Sequence, residues 1–153
     1  MRTFAPELAL AVLLIAASAP FGGARAVDNI TTSNAPDLTA VRAKIKAQDF
    51  KAALAELTPM LTTYQHADVY NLMGFSLRKT GDTKQAFTFY RKALDFDPQH
   101  KGALEYLGEL YVETGQLDKA REIVATLKRV CPNGCEELSD LEKAISGAAP
   151  KTN

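Results

Sequence analysis

The sequence has no excess of charge of either sign and few histidines. Lysine plus arginine and aspartate plus glutamate each number 18 among the 153 residues, so the formal charge is zero. Such a chain has no net attraction for nucleic acid or for an anionic membrane. It contains two histidines, so we do not expect a histidine-based metal site. We therefore predict neither a nucleic-acid partner nor a bound metal.

Catalytic motifs are missing as well. The sequence has no phosphate-binding loop, no HExxH, no GxSxG and no CxxCH haem-attachment site. His66 and His100 fall between predicted helices near solvent, where an exposed or hydrogen-bonded histidine is a simpler interpretation than a ligand or a general base. We predict a protein that is not an enzyme and that needs no cofactor.

The apolar run at residues 8–19 is too short to span a bilayer as a helix. It follows Arg2 and precedes Ala24-Arg25-Ala26, an A-x-A cleavage site, which is typical of a secretory signal peptide at residues 1–26. Cleavage after Ala19 and retention as an uncleaved anchor are the alternatives. No cysteine follows either cleavage site closely, so we do not expect a lipid anchor. We expect export to the periplasm without stable membrane insertion after cleavage.

Two consecutive stretches of 34 residues, 67–100 and 101–134, share one skeleton of small, apolar and proline positions. A repeat of this length predicts a solenoid. The first copy carries the skeleton at Tyr70, Gly74, Leu77, Gly81, Ala86, Tyr90 and Pro98, and the second at Leu104, Gly108, Tyr111, Gly115, Ala120 and Pro132. The pattern closely resembles the tetratricopeptide repeat (TPR) family, whose units are helix–turn–helix pairs.

The resemblance implies an all-α solenoid of about three repeats with a C-terminal capping helix. Residues 36–66 would form a degenerate first repeat and residues 135–147 the capping helix, between a disordered segment at 27–35 and a tail at 148–153. Asp49 can cap the second helix, and Pro36 suits a first helical turn. Pro59 lies inside the second helix, so we expect a kink or an early end near Thr58.

The second repeat carries the clearest local signals. Gly81 is expected to end its first helix in a left-handed turn. Asp82 and Gln85 resemble a capping box for its second helix. Gly74 and Ala86 are small, which we interpret as allowing the two helices of a pair to approach closely. Gly108 should act in the same way in the third repeat.

Cys131 and Cys135 join the third repeat to the predicted capping helix across Pro-Asn-Gly. An exported chain with an even number of cysteines favours a disulfide, and the turn sequence could bring the sulfurs together. We predict a structural Cys131–Cys135 bond. A redox-active pair is the weaker alternative, because the spacing is CxxxC and no thioredoxin-like pattern surrounds it. A two-cysteine metal site is weaker still.

TPR arrays typically bind a peptide along the concave surface lined by the first helix of each pair, so the resemblance implies another protein or a peptide as partner. In the third repeat Glu105, Glu109 and Glu113, at i, i+4 and i+8, form an acidic stripe that would favour a basic or amide-rich peptide. Phe75 could stack on such a peptide. The alternative is a solvated face on which Arg78 and Lys79 pair with the glutamates. The residues expected to face away from the core and bind the partner are Asn71, Phe75, Arg78, Lys79, Glu105, Glu109 and Glu113.

We interpret the chain as a non-catalytic adaptor or assembly factor that binds a partner segment in the cell envelope. An envelope chaperone for secreted or cofactor-bearing proteins, such as cytochrome maturation, is the main alternative. Thiol exchange by the cysteine pair and a self-associating structural protein are two others. TPR identity constrains the fold far more than the function.

Overall fold

The computed structural model describes residues 35–148, which form seven α-helices and contain no strand. The helices are α1 (Thr39–Lys46), α2 (Phe50–Thr63), α3 (Ala67–Lys79), α4 (Thr83–Phe96), α5 (Lys101–Glu113), α6 (Leu117–Val130) and α7 (Glu136–Ala148). The predicted all-α architecture is confirmed. The predicted signal peptide at 1–26, most of the N-terminal segment at 27–35 and the end of the tail at 149–153 lie outside the described residues.

Consecutive helices pack against each other from α1 to α7, and α5 also contacts both α3 and α7. This is the pattern of a stack of helix pairs, in which each pair touches its neighbours. One core cluster runs from Leu38 before α1 to Leu110 on α5, with Tyr90 of α4 fully buried within it. A second cluster joins Leu104, Leu127 and Leu141, which belong to α5, α6 and α7.

The helix boundaries follow the local signals. The Asp49 and Asp82 carboxylates accept hydrogen bonds from the backbone N–H groups of Ala52 and Gln85, at 3.1 and 3.0 Å. Gly81 follows α3 with φ +91°, a left-handed conformation that suits glycine. The corresponding position after α1 is Gln48, whose φ of 61° makes it a non-glycine residue in the same strained region. Pro36 lies before α1, which begins at Thr39.

The prediction of an early helix end near Thr58 is wrong, because α2 continues through Pro59 to Thr63. Proline removes the hydrogen bond that the residue at 59 would donate to the carbonyl of Ala55. Both Pro59 and Ala55 are exposed, so water can bond that carbonyl instead. The buried face of α2, with Ala53 and Leu57, lies away from this defect and keeps the helix packed.

The two glycines of the repeat skeleton meet different neighbours. A methyl group added to Gly74 would lie 2.7 Å from the ring of Tyr90 on α4, the other helix of its pair. A methyl group added to Gly108 would instead lie 2.5 Å from Leu141 on α7. Val124 stands where Tyr90 stands one repeat earlier, and its smaller side chain leaves this space to α7. The close approach predicted within the third pair is therefore made to the capping helix.

The capping helix is fastened to the last repeat at one end. Cys131 follows α6 and Cys135 precedes α7. Their sulfur atoms lie at disulfide distance, 2.17 Å apart, with the two Cα atoms 6.0 Å apart. Leu138 and Leu141 bury one face of α7 against α5 and α6. Between residues 35 and 148, no helix is both long and apolar enough to cross a membrane.

Candidate functional site: an acidic groove

A groove of about 470 Å³ runs along α1, α3, α5 and α7, the first helices of the predicted pairs and the cap. We call it the acidic groove, because five of its eleven lining residues are carboxylates, against one arginine and one histidine. It is lined by Arg42, Asp68, Asn71, Leu72, His100, Gly102, Glu105, Tyr106, Glu136, Glu137 and Asp140. Its volume is in the range of small-ligand sites, roughly 300–1,000 Å³.

At one end of the groove, the negative charge of Asp68 is compensated by other residues of the chain. Nε2 of His100 lies 3.0 Å from Oδ1 of Asp68, and a guanidinium nitrogen of Arg42 lies 3.6 Å from the same oxygen. Nδ1 of His100 accepts a hydrogen bond of 3.0 Å from the backbone N–H of Ala103 and so caps α5. The neutral ring must therefore carry its proton on Nε2, from which it donates to Asp68. His66 caps α3 in the same way.

The middle of the groove is strongly acidic at Glu105. Burial of this side chain, followed by the negative charges of nearby carboxylates, raises its pKa to about 7. Those carboxylates come from two helices that meet there and are Glu109, Asp140, Glu137 and Glu136. An ordinary glutamate is almost fully ionised at neutral pH, whereas Glu105 is about half protonated at pH 7, and a nearby cation would favour its ionised form.

Asn71 also lines the groove, on α3. It is 5% exposed, and within the described part of the chain its Oδ1 atom has no hydrogen-bond partner. A buried acceptor without a donor costs about 1–3 kcal/mol. The lining thus includes Glu105, which forms no ion pair among residues 35–148, and an asparagine whose buried oxygen has no donor.

Of the seven residues predicted to bind a partner, the groove contains Asn71 and Glu105. The other five lie further along the same helices. The guanidinium of Arg78 contacts both glutamates of the stripe, at 2.7 Å for Glu109 and 2.5 Å for Glu113. Hydrogen bonding to Arg78 lowers the pKa of Glu113. For these three residues the structure matches the paired surface that was the alternative interpretation.

The expectation that Asn71 and Phe75 face away from the core holds only in part, because Asn71 lines the groove but is buried, and Phe75 is partly exposed but packs against the core. Phe75 packs against the main core cluster, with its ring centroid 5.0 Å from that of Tyr106 on α5 and 6.1 Å from that of Phe50 on α2. Lys79 lies over the same ring, 5.3 Å from its centroid. The helices on both sides of α3 supply these aromatic neighbours, which a single-helix projection does not show.

Most of the groove was not predicted, although the repeat period of the sequence marks it. The lining residues recur at intervals of 34 and so share one face of successive helices. The three recurring sets are Asp68, Gly102 and Glu136, then Asn71 and Glu105, then Leu72, Tyr106 and Asp140. Glu136 and Glu137 lie in the first turn of α7, where acids are favoured by the helix dipole, so the sequence alone gives no sign that their charges act on Glu105.

Comparison with known families gives a match to the tetratricopeptide repeat over residues 77–145. Residues 77–145, a little under half of the chain, are tetratricopeptide repeat. TPR domains bind other proteins or peptides, so this is a protein–protein interaction module of a generally non-catalytic family. Among residues 35–148, no three side chains of the kinds that ligate metals converge on one point.

Three curated proteins resemble parts of the chain. A probable biofilm formation methyltransferase of Pseudomonas putida, WspC, is 42% identical over 57 residues, which are 37% of this chain and 13% of that protein. The uncharacterized protein ycf37 of Pyropia yezoensis is 37% identical over 57 residues, 37% of this chain and 32% of its own length. The cellulose synthase 2 operon protein C of Komagataeibacter xylinus is 33% identical over 89 residues, which are 58% of this chain and 7% of that protein. The chain thus spans less than a third of each of these relatives.

Proposed function

We propose that this TPR protein is an adaptor or assembly factor of the cell envelope that binds a basic segment of a partner protein in the acidic groove. The observation that carries the proposal is the uncompensated negative charge around Glu105, within a groove formed by the first helices of successive pairs. A positively charged segment gains attraction there, whereas an acidic one is repelled.

The residues predicted from the sequence now divide into two groups. Arg78 is hydrogen-bonded to both Glu109 and Glu113, so a ligand at that end of the stripe would have to compete with Arg78 for these carboxylates. Glu105 is left to act with the carboxylates of α7. The partner should therefore lie across α3, α5 and α7, rather than along the length of α5.

Two features support a location in the envelope. Residues 1–26 have the order of a secretory signal peptide, with an apolar run followed by an A-x-A site. Cys131 and Cys135 lie at disulfide distance, and disulfides persist mainly in oxidising compartments such as the periplasm. We expect the mature protein, purified from a bacterium that expresses the whole chain, to begin at Val27. An intact N-terminus in the cytosolic fraction would contradict this location.

Crosslinking capture from a periplasmic extract tests the adaptor function. The protein is compared with a Glu105→Gln, Glu136→Gln variant that loses two charges in the groove. An Asp95→Asn, Glu122→Gln variant loses the same two charges at exposed positions on α4 and α6. A partner captured by the protein and the second variant, but lost by the first, is the expected result. Equal capture by all three would place the binding surface elsewhere.

A further inference from the structure

We propose that His66 and His100 make the N-terminal ends of α3 and α5 sensitive to pH, because protonation of their rings breaks the hydrogen bonds that cap these helices and leaves each ring held by Asp68. We call the two side chains the histidine caps. They are the two histidines of the chain, and they are 34 residues apart, at the same position of successive repeats. The histidine caps do not depend on the proposed partner.

The first and second helices of the pairs are capped by different kinds of side chain. The carboxylates of Asp49 and Asp82 cap α2 and α4, whereas the imidazoles of His66 and His100 cap α3 and α5. An aspartate ordinarily titrates at about pH 4, and a histidine between about pH 5 and 8. A fall from pH 8 to pH 5 therefore acts on the caps of α3 and α5 and spares those of α2 and α4.

Each histidine cap needs a neutral ring. Nδ1 of His66 accepts a hydrogen bond of 3.2 Å from the backbone N–H of Asp68, and Nδ1 of His100 accepts one of 3.0 Å from that of Ala103. A protonated imidazole carries a hydrogen on both nitrogens and has no acceptor. It also places a positive charge at a helix N-terminus, where the helix dipole disfavours cations. Protonation is therefore incompatible with either cap.

Asp68 holds the protonated form of both rings. Its Oδ1 atom lies 3.0 Å from Nε2 of His100, and its Oδ2 atom lies 3.9 Å from Nδ1 of His66. A carboxylate at such a distance favours a charged imidazole. A guanidinium nitrogen of Arg42 lies 3.6 Å from Oδ1 and competes for the same carboxylate. The neutral rings thus cap the helices, whereas the charged rings are held by Asp68 alone.

The other titratable groups near the histidine caps are mostly acidic. Lys101 follows His100 but lies 3.7 Å from Glu137. Glu105 gains a proton in the same pH range, since burial raises its pKa to about 7, so a test must separate its titration from that of the histidines. The acidic groups oppose the preference of the caps for a neutral ring. Those that line the groove with His100, besides Arg42 and Asp68, are Glu105, Tyr106, Glu136, Glu137 and Asp140, and Asp97 and Tyr64 precede the two histidines in their turns.

Nuclear magnetic resonance of the whole, nitrogen-labelled protein between pH 8 and pH 5 tests the histidine caps directly. At pH 8 the Nδ1 atoms of both rings should give the signal of an unprotonated nitrogen. As the pH falls, both should become protonated, and the amide protons of Asp68 and Ala103 should shift with the midpoint of the ring that caps them. The amide protons of Ala52 and Gln85, which the aspartates cap, are internal controls and should not shift.

Variants that keep a cap but remove its titration identify each ring. Asparagine is among the best N-cap residues and carries no charge. In His100→Asn the amide proton of Ala103 should therefore become independent of pH, while that of Asp68 still follows His66. His66→Asn should give the reverse result. Glu105→Gln should leave both responses in place, which separates them from the titration of Glu105.

Hydrogen exchange shows whether loss of the cap loosens the helix end. The amides to follow are those of Ala103 and of Leu104, which donates to the carbonyl of His100 at 3.0 Å. At pH 5 they should exchange about fivefold faster in the protein than in His100→Asn, which corresponds to the usual contribution of an N-cap. At pH 8 the two proteins should exchange at the same rate.

The opposite results would overturn the inference. A ring whose Nδ1 stays unprotonated down to pH 5, or becomes protonated without shifting the amide that it caps, overturns it for that helix. Equal shifts at Ala52 and Gln85 would reveal a general effect of acid and overturn it for both helices. An Ala103 amide that still titrates in His100→Asn overturns the role of His100, and equal exchange at pH 5 overturns the loosening of α5.

Discussion

Replacing Gly108 by alanine should destabilise the contact between α5 and α7, although alanine is the better helix former. The added methyl group would lie 2.5 Å from Cδ2, 2.8 Å from Cδ1 and 3.2 Å from Cγ of Leu141. Leu141 is fully buried, and its Cγ is itself too close, so rotation of the side chain alone does not clear the space. The leucine and the helix that carries it must move away from α5.

The change in the free energy of unfolding caused by Gly108→Ala is the difference between two opposing contributions. Overpacking a core costs about 1–3 kcal/mol, whereas replacing glycine by alanine inside a helix gains about 1 kcal/mol. Gly108→Ala should therefore reduce the free energy of unfolding by about 0–2 kcal/mol. In a Leu141→Ala background the obstructing atoms are absent, and the same substitution should instead stabilise by about 1 kcal/mol. The coupling between the two positions should equal the overpacking term, about 1–3 kcal/mol.

The assay is urea unfolding followed by far-ultraviolet circular dichroism for the protein, both single variants and the double variant. Leu141→Ala alone should cost about 2–5 kcal/mol, as for other buried leucines. Gly147→Ala, on the same α7, is the control, because no atom lies within 4 Å of its added methyl group; it should be neutral or slightly stabilising. A coupling energy near zero would refute the contact between Gly108 and the capping helix.

Three further perturbations test other parts of the structure. Glu105→Gln should raise the free energy of unfolding by about 1 kcal/mol at pH 8 and leave it unchanged below pH 4, as measured by urea unfolding at several pH values. The reason is that a carboxyl whose pKa is raised in the folded state destabilises that state once it is ionised, above that pKa. Solvent screening of this partly exposed group reduces the effect. A difference that grows as the pH falls would contradict the sign. Gln48→Gly should stabilise the protein by about 1 kcal/mol and so raise its melting temperature, because glycine adopts φ 61° without strain. A lower melting temperature would show that the turn is unstrained. Replacing both Cys131 and Cys135 by serine should cost about 2 kcal/mol in the chain-entropy model and preserve the helical spectrum; loss of that spectrum would make the bond essential for folding.

Much of the fold was predictable because its determinants are local. Gly81 and Asp82 set the boundary between α3 and α4 within a few residues of chain, through a left-handed turn and a side-chain cap. The prediction at Pro59 failed because the cost of a proline depends on whether water reaches the freed carbonyl. That depends on which face of α2 is packed against α3, and a sequence window does not show it.

Less of the candidate site was predictable. The period of 34 residues places Asn71 and Glu105 at equivalent positions, and both were named from the sequence as residues of a binding face. The other lining residues come from all four helices, and the sequence does not show that α7 packs beside α5 and brings its carboxylates close to Glu105. Arg78 could have paired with any of the three glutamates on the next helix, and its contacts with Glu109 and Glu113 left Glu105 free.

The sequence by itself determined an all-α array of helix pairs with TPR character, because helix caps, turns and the 34-residue period act through hydrogen bonds and packing between near neighbours in the chain. The tertiary structure decided which of its many charges remain available to a partner. A carboxylate remains available when no cation of the chain lies across the gap between its helix and the next one. The gap is set by contacts such as that of Leu141 with Gly108, between residues far apart in sequence.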